Sequence, residues 1–209
     1  MNERHWWTTA MMALAVATSC FVVATRDHVD QAVGPPVPPS SAAALSRPAG
    51  RVAAEVARSA PVTLRIRAIG LTTAVSKLGL NPDGTVEVPT DFARPGWFRL
   101  GPSPGQRGSA VILGHVDSYR GPAVFFRLGA LRPGKRVSVT LADHTVAHFL
   151  VDAVAMYPKA HFPARKVYGS HGYSALQLVT CGGVFDHSTG HYLSNIVVYT
   201  RLVGATIGR

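Results

Sequence analysis

From Val62 onward, apolar and polar residues alternate in short runs separated by turn-forming residues. Val62, Leu64 and Ile66 fall on one side of an extended backbone and Thr63, Arg65 and Arg67 on the other, so Val62–Ala68 reads as a half-buried strand. The same pattern predicts strands at Thr85–Val88, Ala110–Leu113, Arg136–Thr140, Ala147–Val154, Ala175–Thr180 and Asn195–Leu202. Asn81-Pro-Asp-Gly84, Arg132-Pro-Gly-Lys135 and Ala142-Asp-His144 supply turns between them, and Phe125–Leu131 is the best candidate for a short helical turn. Short strands with few long helical patterns predict an all-β fold, a closed or nearly closed antiparallel barrel.

The amino end follows another pattern. Residues 6–24, from Trp6 to Ala24, carry no formal charge and lie between Arg4 and Arg26. A helix of that length spans roughly 28 Å, close to a hydrocarbon core about 30 Å thick, and Trp6 and Trp7 suit its interface. Residues 1–30 therefore read as a membrane anchor. A cleaved signal peptide with a site near Ala15-Val16-Ala17 is the alternative. Cys20, inside the span, reads as a small apolar residue. Residues 31–61 contain prolines at 35, 36, 38, 39, 48 and 61, which fix φ and remove donors, so this stretch is expected to be an extended stalk. A short helix over Arg51–Arg58 would not change its role as a spacer. Residues 62–209 form the folded domain.

At 209 residues, 47% hydrophobic and 15% charged, the chain can bury one sizeable core and is not disordered throughout. Basic groups outnumber acidic ones by 21 to 11, and setting residues 1–30 aside leaves +11 on the remainder. That charge suits an anionic polymer or lipid surface. The basic residues are scattered, and no helix-turn-helix or aromatic-laced basic patch appears, so nucleic acid is not the expected partner.

Cys181 is the single cysteine beyond the amino-terminal span, and facing an oxidising exterior it has no partner within the domain. It is either an inert core thiol or a reactive one. The strand Leu176-Gln-Leu-Val-Thr180 ends at Cys181-Gly-Gly183, where the glycines permit a sharp turn and close approach of a substrate backbone. A thiol with an ordinary pKa near 8.5 needs a basic neighbour to act as a nucleophile. Among nine histidines, His115 ends the apolar run Ala110-Val-Ile-Leu113 and occupies a similar strand-to-loop junction. His144, His148, His161 and His171 lie in turns or on alternating faces and read as ordinary surface groups. Only Cys181, His187 and His191 cluster in sequence, too few for a typical zinc site, so neither metal nor cofactor is expected.

Val111-Ile-Leu-Gly-His-Val-Asp-Ser118, Gly121-Pro-Ala-Val-Phe-Phe-Arg-Leu128, Leu131-Arg-Pro-Gly134, Val179-Thr-Cys-Gly-Gly183, Thr189-Gly-His-Tyr192 and Asn195-Ile-Val-Val-Tyr199 together closely resemble sortases, and in particular the class F branch of actinobacteria. The likeness covers approximately residues 62–203. It implies an eight-stranded sortase barrel and an extracytoplasmic cysteine transpeptidase tethered by its amino-terminal helix. Such an enzyme cuts a Leu-Pro-x-Thr-Gly-like sorting signal after Thr and passes the acyl group to an amine of the cell wall. Its partners would be surface proteins bearing that signal, the peptidoglycan amine acceptor and the membrane. On the resemblance Cys181 is the nucleophile and His115 moves the proton.

One feature departs from the family. Sortases pair the Cys and His with an arginine downstream of the cysteine. This chain has Phe185-Asp186-His187 where that arginine is expected, Leu193 fills the other plausible column, and Arg201 lies at the far end of the last strand. His187 is the candidate replacement, or else a solvated loop residue. A sortase-like barrel that binds peptide or wall polymer with little turnover is the alternative function.

Overall fold

The computed structural model describes residues 55–208. The anchor expected at residues 6–24 and most of the stalk lie outside the described residues, and among these no helix is long and apolar enough to cross a membrane.

The strands are β1 (Pro61–Ile66), β2 (Leu71–Ala74), β3 (Ser76–Leu78), β4 (Gly96–Phe98), β5 (Gly108–Leu113), β6 (Asp117–Ser118), β7 (Gly121–Pro122), β8 (Arg136–Leu141), β9 (Thr145–Pro158), β10 (Ser174–Asp186) and β11 (His191–Ile207). The main sheet has nine strands in the order β2-β1-β8-β9-β11-β10-β5-β4-β3, where eight were expected. Its two edge strands are consecutive in the chain, separated only by Val75. Val75 N–H donates to Val62 O at 2.9 Å and Ser76 N–H to Pro95 O at 2.9 Å, so one run of chain changes partners at that point and nearly closes the barrel. Most pairings are antiparallel, but β5 runs parallel to β10 and β3 parallel to β4.

Leu64, Ile66, Ile112, Phe125, Leu128, Phe149, Leu176, Leu178 and Val198 fill the main core. A second cluster, Val111, Val167, Val179, Val197 and Tyr199, forms on the opposite sheet face. It is covered by Phe162 and by α1 (Ala164–Tyr168). Covering both faces explains why β5 is apolar without alternation, as strands with a parallel neighbour tend to be.

The alternation in β1 holds only in part. Leu64 and Ile66 are buried as expected, but Val62 is 47% exposed while Pro61 is buried. The pairing with β8 shifts between Pro61 and Thr63, and the resulting bulge turns Val62 outward. Thr85–Val88 contributes only an isolated bridge, Leu80 to Val86, because the Glu87 carboxylate accepts the Gly79 N–H at 2.6 Å alongside the backbone. Phe125–Leu131 does form a turn, ending in a 3-10 segment at Leu128–Ala130.

Glu55–Ala60 has no helix, and it lies against the barrel. Val56 N–H donates to Gly105 O at 3.0 Å, and Val56 and Ala60 pack on the main core. The Arg58 guanidinium donates to Arg99 O and Gly101 O while stacking over Trp97.

Candidate active site

β5 and β10, far apart in sequence, run side by side to the site. Their parallel register pairs Leu113 with Val179, and Gly114 N–H donates to Val179 O at 3.0 Å. The paired register ends there, and His115 and Cys181 each lie two residues further along the chain from that last pair. The cysteine and histidine expected to act together, 66 positions apart in the chain, are thus brought to the same end of one strand pair.

Cys181 is a free, half-buried thiol on β10, on the same face as Val179 and at the edge of the apolar cluster under α1. Immediately beyond it, Gly182 pairs with Ser194 but Phe185 pairs with Tyr192, which leaves one extra residue on β10. Gly183, with φ at +79°, occupies this bulge in a conformation that a side chain would strain. A Cβ there would also come within 3.1 Å of the Ser194 side chain.

His115 is held from three sides. Its Nε2 lies 2.6 Å from Pro89 O, the Phe92 ring stacks at 4.3 Å between centroids, and its own carbonyl accepts Phe125 N–H at 2.9 Å. Gly114 lets Phe125 approach so closely, since a Cβ at that position would lie 2.6 Å from the ring. A carbonyl only accepts, so the neutral imidazole carries its proton on Nε2 and leaves Nδ1 with a free lone pair. Phe92 also lines an open cleft of about 410 Å³, together with Leu71, Thr73, Ala93 and Val124 among others.

A second connection joins the two halves of the site. The Tyr192 hydroxyl on β11 donates to Asp117 Oδ2, two residues after His115. Burial pushes the Tyr192 phenol well above its ordinary range, reinforced by the bond to Asp117, by the charge of Asp117 and by that of Cys181. Both residues belong to stretches that carried the family resemblance, but sequence reasoning assigned neither a role. Nothing in their spacing shows that they meet.

His187 lies in the turn after β10, its ring edge-on to Phe185 at 5.0 Å. That turn is organised by Asp186, whose carboxylate accepts from Ser188 N–H, Ser188 Oγ and Thr189 Oγ1. These bonds, led by the Ser188 side chain, hold the Asp186 carboxyl below the usual carboxylate range. Leu193, the other column considered for the arginine, is half exposed opposite the bulge. Arg201 pairs with Ala175 at the opposite end of the hairpin, about 20 Å of strand from Cys181, and forms an ion pair with Asp152. The residue directly across from Cys181 is Asn195.

Solved structures with this fold include sortase A of Listeria monocytogenes, with a TM-score of 0.54 and 14% identity over 70% of this chain and 89% of that one. SrtA sortase of Actinomyces oris gives 0.53 and 19% over 76% and 88%. A lid mutant of sortase A from Corynebacterium diphtheriae gives 0.55 and 15% over 71% and 72%. No curated protein sequence matches. The sortase domain family model matches residues 64–203, the span that holds the barrel, the thiol and the imidazole, and the chain accordingly belongs to the sortase family of cysteine transpeptidases.

Proposed function

We propose that this chain is a class F-like sortase, held at the membrane by residues 6–24 with its barrel outside the cell. It cleaves a Leu-Pro-x-Thr-Gly-like signal after Thr through Cys181 and His115, and transfers the acyl group to a cell-wall amine or to water. The observation that supports this reading is the parallel β5–β10 pairing, past whose last pair, Leu113 with Val179, the solitary thiol and a tautomer-fixed imidazole each follow by two residues.

In the forward step the Cys181 thiol gives its proton to His115 Nδ1, and the thiolate attacks the Thr carbonyl carbon. The C=O bond opens to an oxyanion. When it collapses, the C–N bond breaks, the departing amine takes the proton from the imidazolium, and a thioester remains. An incoming amine then loses its proton to His115 as it attacks the thioester carbon, and the second collapse expels the sulfur.

Incubating the chain with a fluorogenic Leu-Pro-x-Thr-Gly peptide tests this reading. Cleavage, an acyl adduct on Cys181 by mass spectrometry and loss of both in Cys181→Ala are expected. No cleavage and no adduct would remove it. The second reading, a binding module with little turnover, is favoured by one observation: Arg201, the sole arginine of the β10–β11 hairpin, is remote from the thiol. Peptide binding without an adduct would favour it.

A further inference from the structure

We propose that Asn195 supplies the side-chain donor for the oxyanion, in place of an arginine. The assignment rests on the transpeptidase reading above and adds a residue to it.

The register carries the argument. In an antiparallel ladder, directly opposite residues project from the same face with Cβ atoms about 4.5–5.5 Å apart. Cys181 pairs with Asn195 while the ladder is still regular, two residues before Gly183 in the bulge. On its other side Asn195 pairs with Tyr157 of β9. Asn195 thus stands between the thiol and a tyrosine, half-buried, and its carboxamide makes no hydrogen bond among the described residues. An idle amide with two N–H donors beside a nucleophilic sulfur is chemically matched to one need, the negative oxygen that forms one bond from the attacked carbon.

Other candidates in the hairpin fit less well. His187 lies beyond the bulge in a separately organised turn, stacked on Phe185. Tyr192 is committed to Asp117, to which it donates its single hydroxyl proton. Arg201 is six residues away along β11 and occupied by Asp152.

A neutral carboxamide also differs from a guanidinium in what it does to the thiol. It adds no fixed positive charge, so it helps the oxyanion without promoting the thiolate. Removing Asn195 should therefore slow acylation while the sulfur remains as reactive as before towards a simple alkylating agent.

The test measures peptide acylation of Cys181 under single-turnover conditions, alongside iodoacetamide alkylation of the same thiol. Asn195→Ala and Asn195→Asp, the second preserving shape while removing both donors, should each lower the acylation rate by about 10²–10³. In Asn195→Ala, peptide KM and the alkylation rate should stay within about threefold of wild type; in Asn195→Asp the new carboxylate also slows alkylation by disfavouring the thiolate. Wild-type acylation by Asn195→Ala, or the loss appearing in His187→Ala instead, overturns the assignment. An equal loss of alkylation in both Asn195 variants overturns it too, because the residue would then only hold the thiol in place. If the wild-type chain itself forms no adduct, the transpeptidase reading fails and this assignment falls with it. A reactive wild type with an unimpaired Asn195→Ala sinks only the assignment.

Discussion

Ala175–Thr180 and Cys181–Asp186 belong to one strand, yet all six residues of the first stretch are buried and only Gly182 is buried in the second. Their neighbours account for the difference. The first stretch has β5 on one side and β11 on the other, with a core on each face. β5 pairing stops at Val179, so the second stretch keeps β11 alone and ends in the turn that carries His187. Rigidity comes from the flanked half, and the open half can present a sulfur and an amide to a bound peptide.

If this division is real, substitutions in the two halves should fail differently. His115→Gln, at the open end, should lower the acylation rate by about 10²–10⁴ with an almost unchanged melting temperature, measured by stopped-flow and calorimetry. A comparable fall in melting temperature would show that the imidazole is mainly a packing group. Leu178→Ala, in the flanked half and fully buried, should lower stability by about 2–5 kcal/mol in urea titration, while the fraction that stays folded still acylates. Inactivity of that folded fraction would mean that the two halves are not separable.

Tyr192→Phe is the finer probe, since it removes only the tie between β11 and the loop after His115. A hydrogen bond to a charged partner contributes about 1.5–3 kcal/mol, and partial exposure places this one at the lower end. Its pH dependence follows from the raised phenol pKa. The folded state holds the proton more tightly than the unfolded chain, so this stabilisation is complete below an unfolded pKa of about 10 and is lost as pH rises towards the folded value. Melting curves at alkaline pH should show the wild type losing stability that Tyr192→Phe never had. Parallel pH profiles for the two proteins would count against the tie.

Much of this was legible before folding, because alternation and turn chemistry are local. β8, β9, β10 and β11 all contain the stretches predicted for them; β8 runs one residue further at its end, and the other three are longer at both ends. The brief strands β2, β3, β4, β6 and β7 were missed, since two to four residues carry too little periodicity to register. The outward turn of Val62 depends on a bulge against β8, and the meeting of Tyr192 with Asp117 depends on the whole barrel. The site divides in the same way. Cys181 and His115 stand out as a lone thiol and a strand-end imidazole, whereas Asn195 becomes notable only once the β10–β11 register sets it across from the sulfur.

The parallel pairing of β5 with β10 also bears on the order in which the molecule acquires reactivity. A hairpin can zip between neighbours, but these two strands must wait until the chain between them, including all of β8 and β9, has closed a long loop. Until then Cys181 and His115 are not held beyond the end of one strand pair. On the proposed reading the chain therefore arms its nucleophile only when the barrel is essentially complete, so that a freshly made polypeptide does not acylate itself on stray esters or peptides.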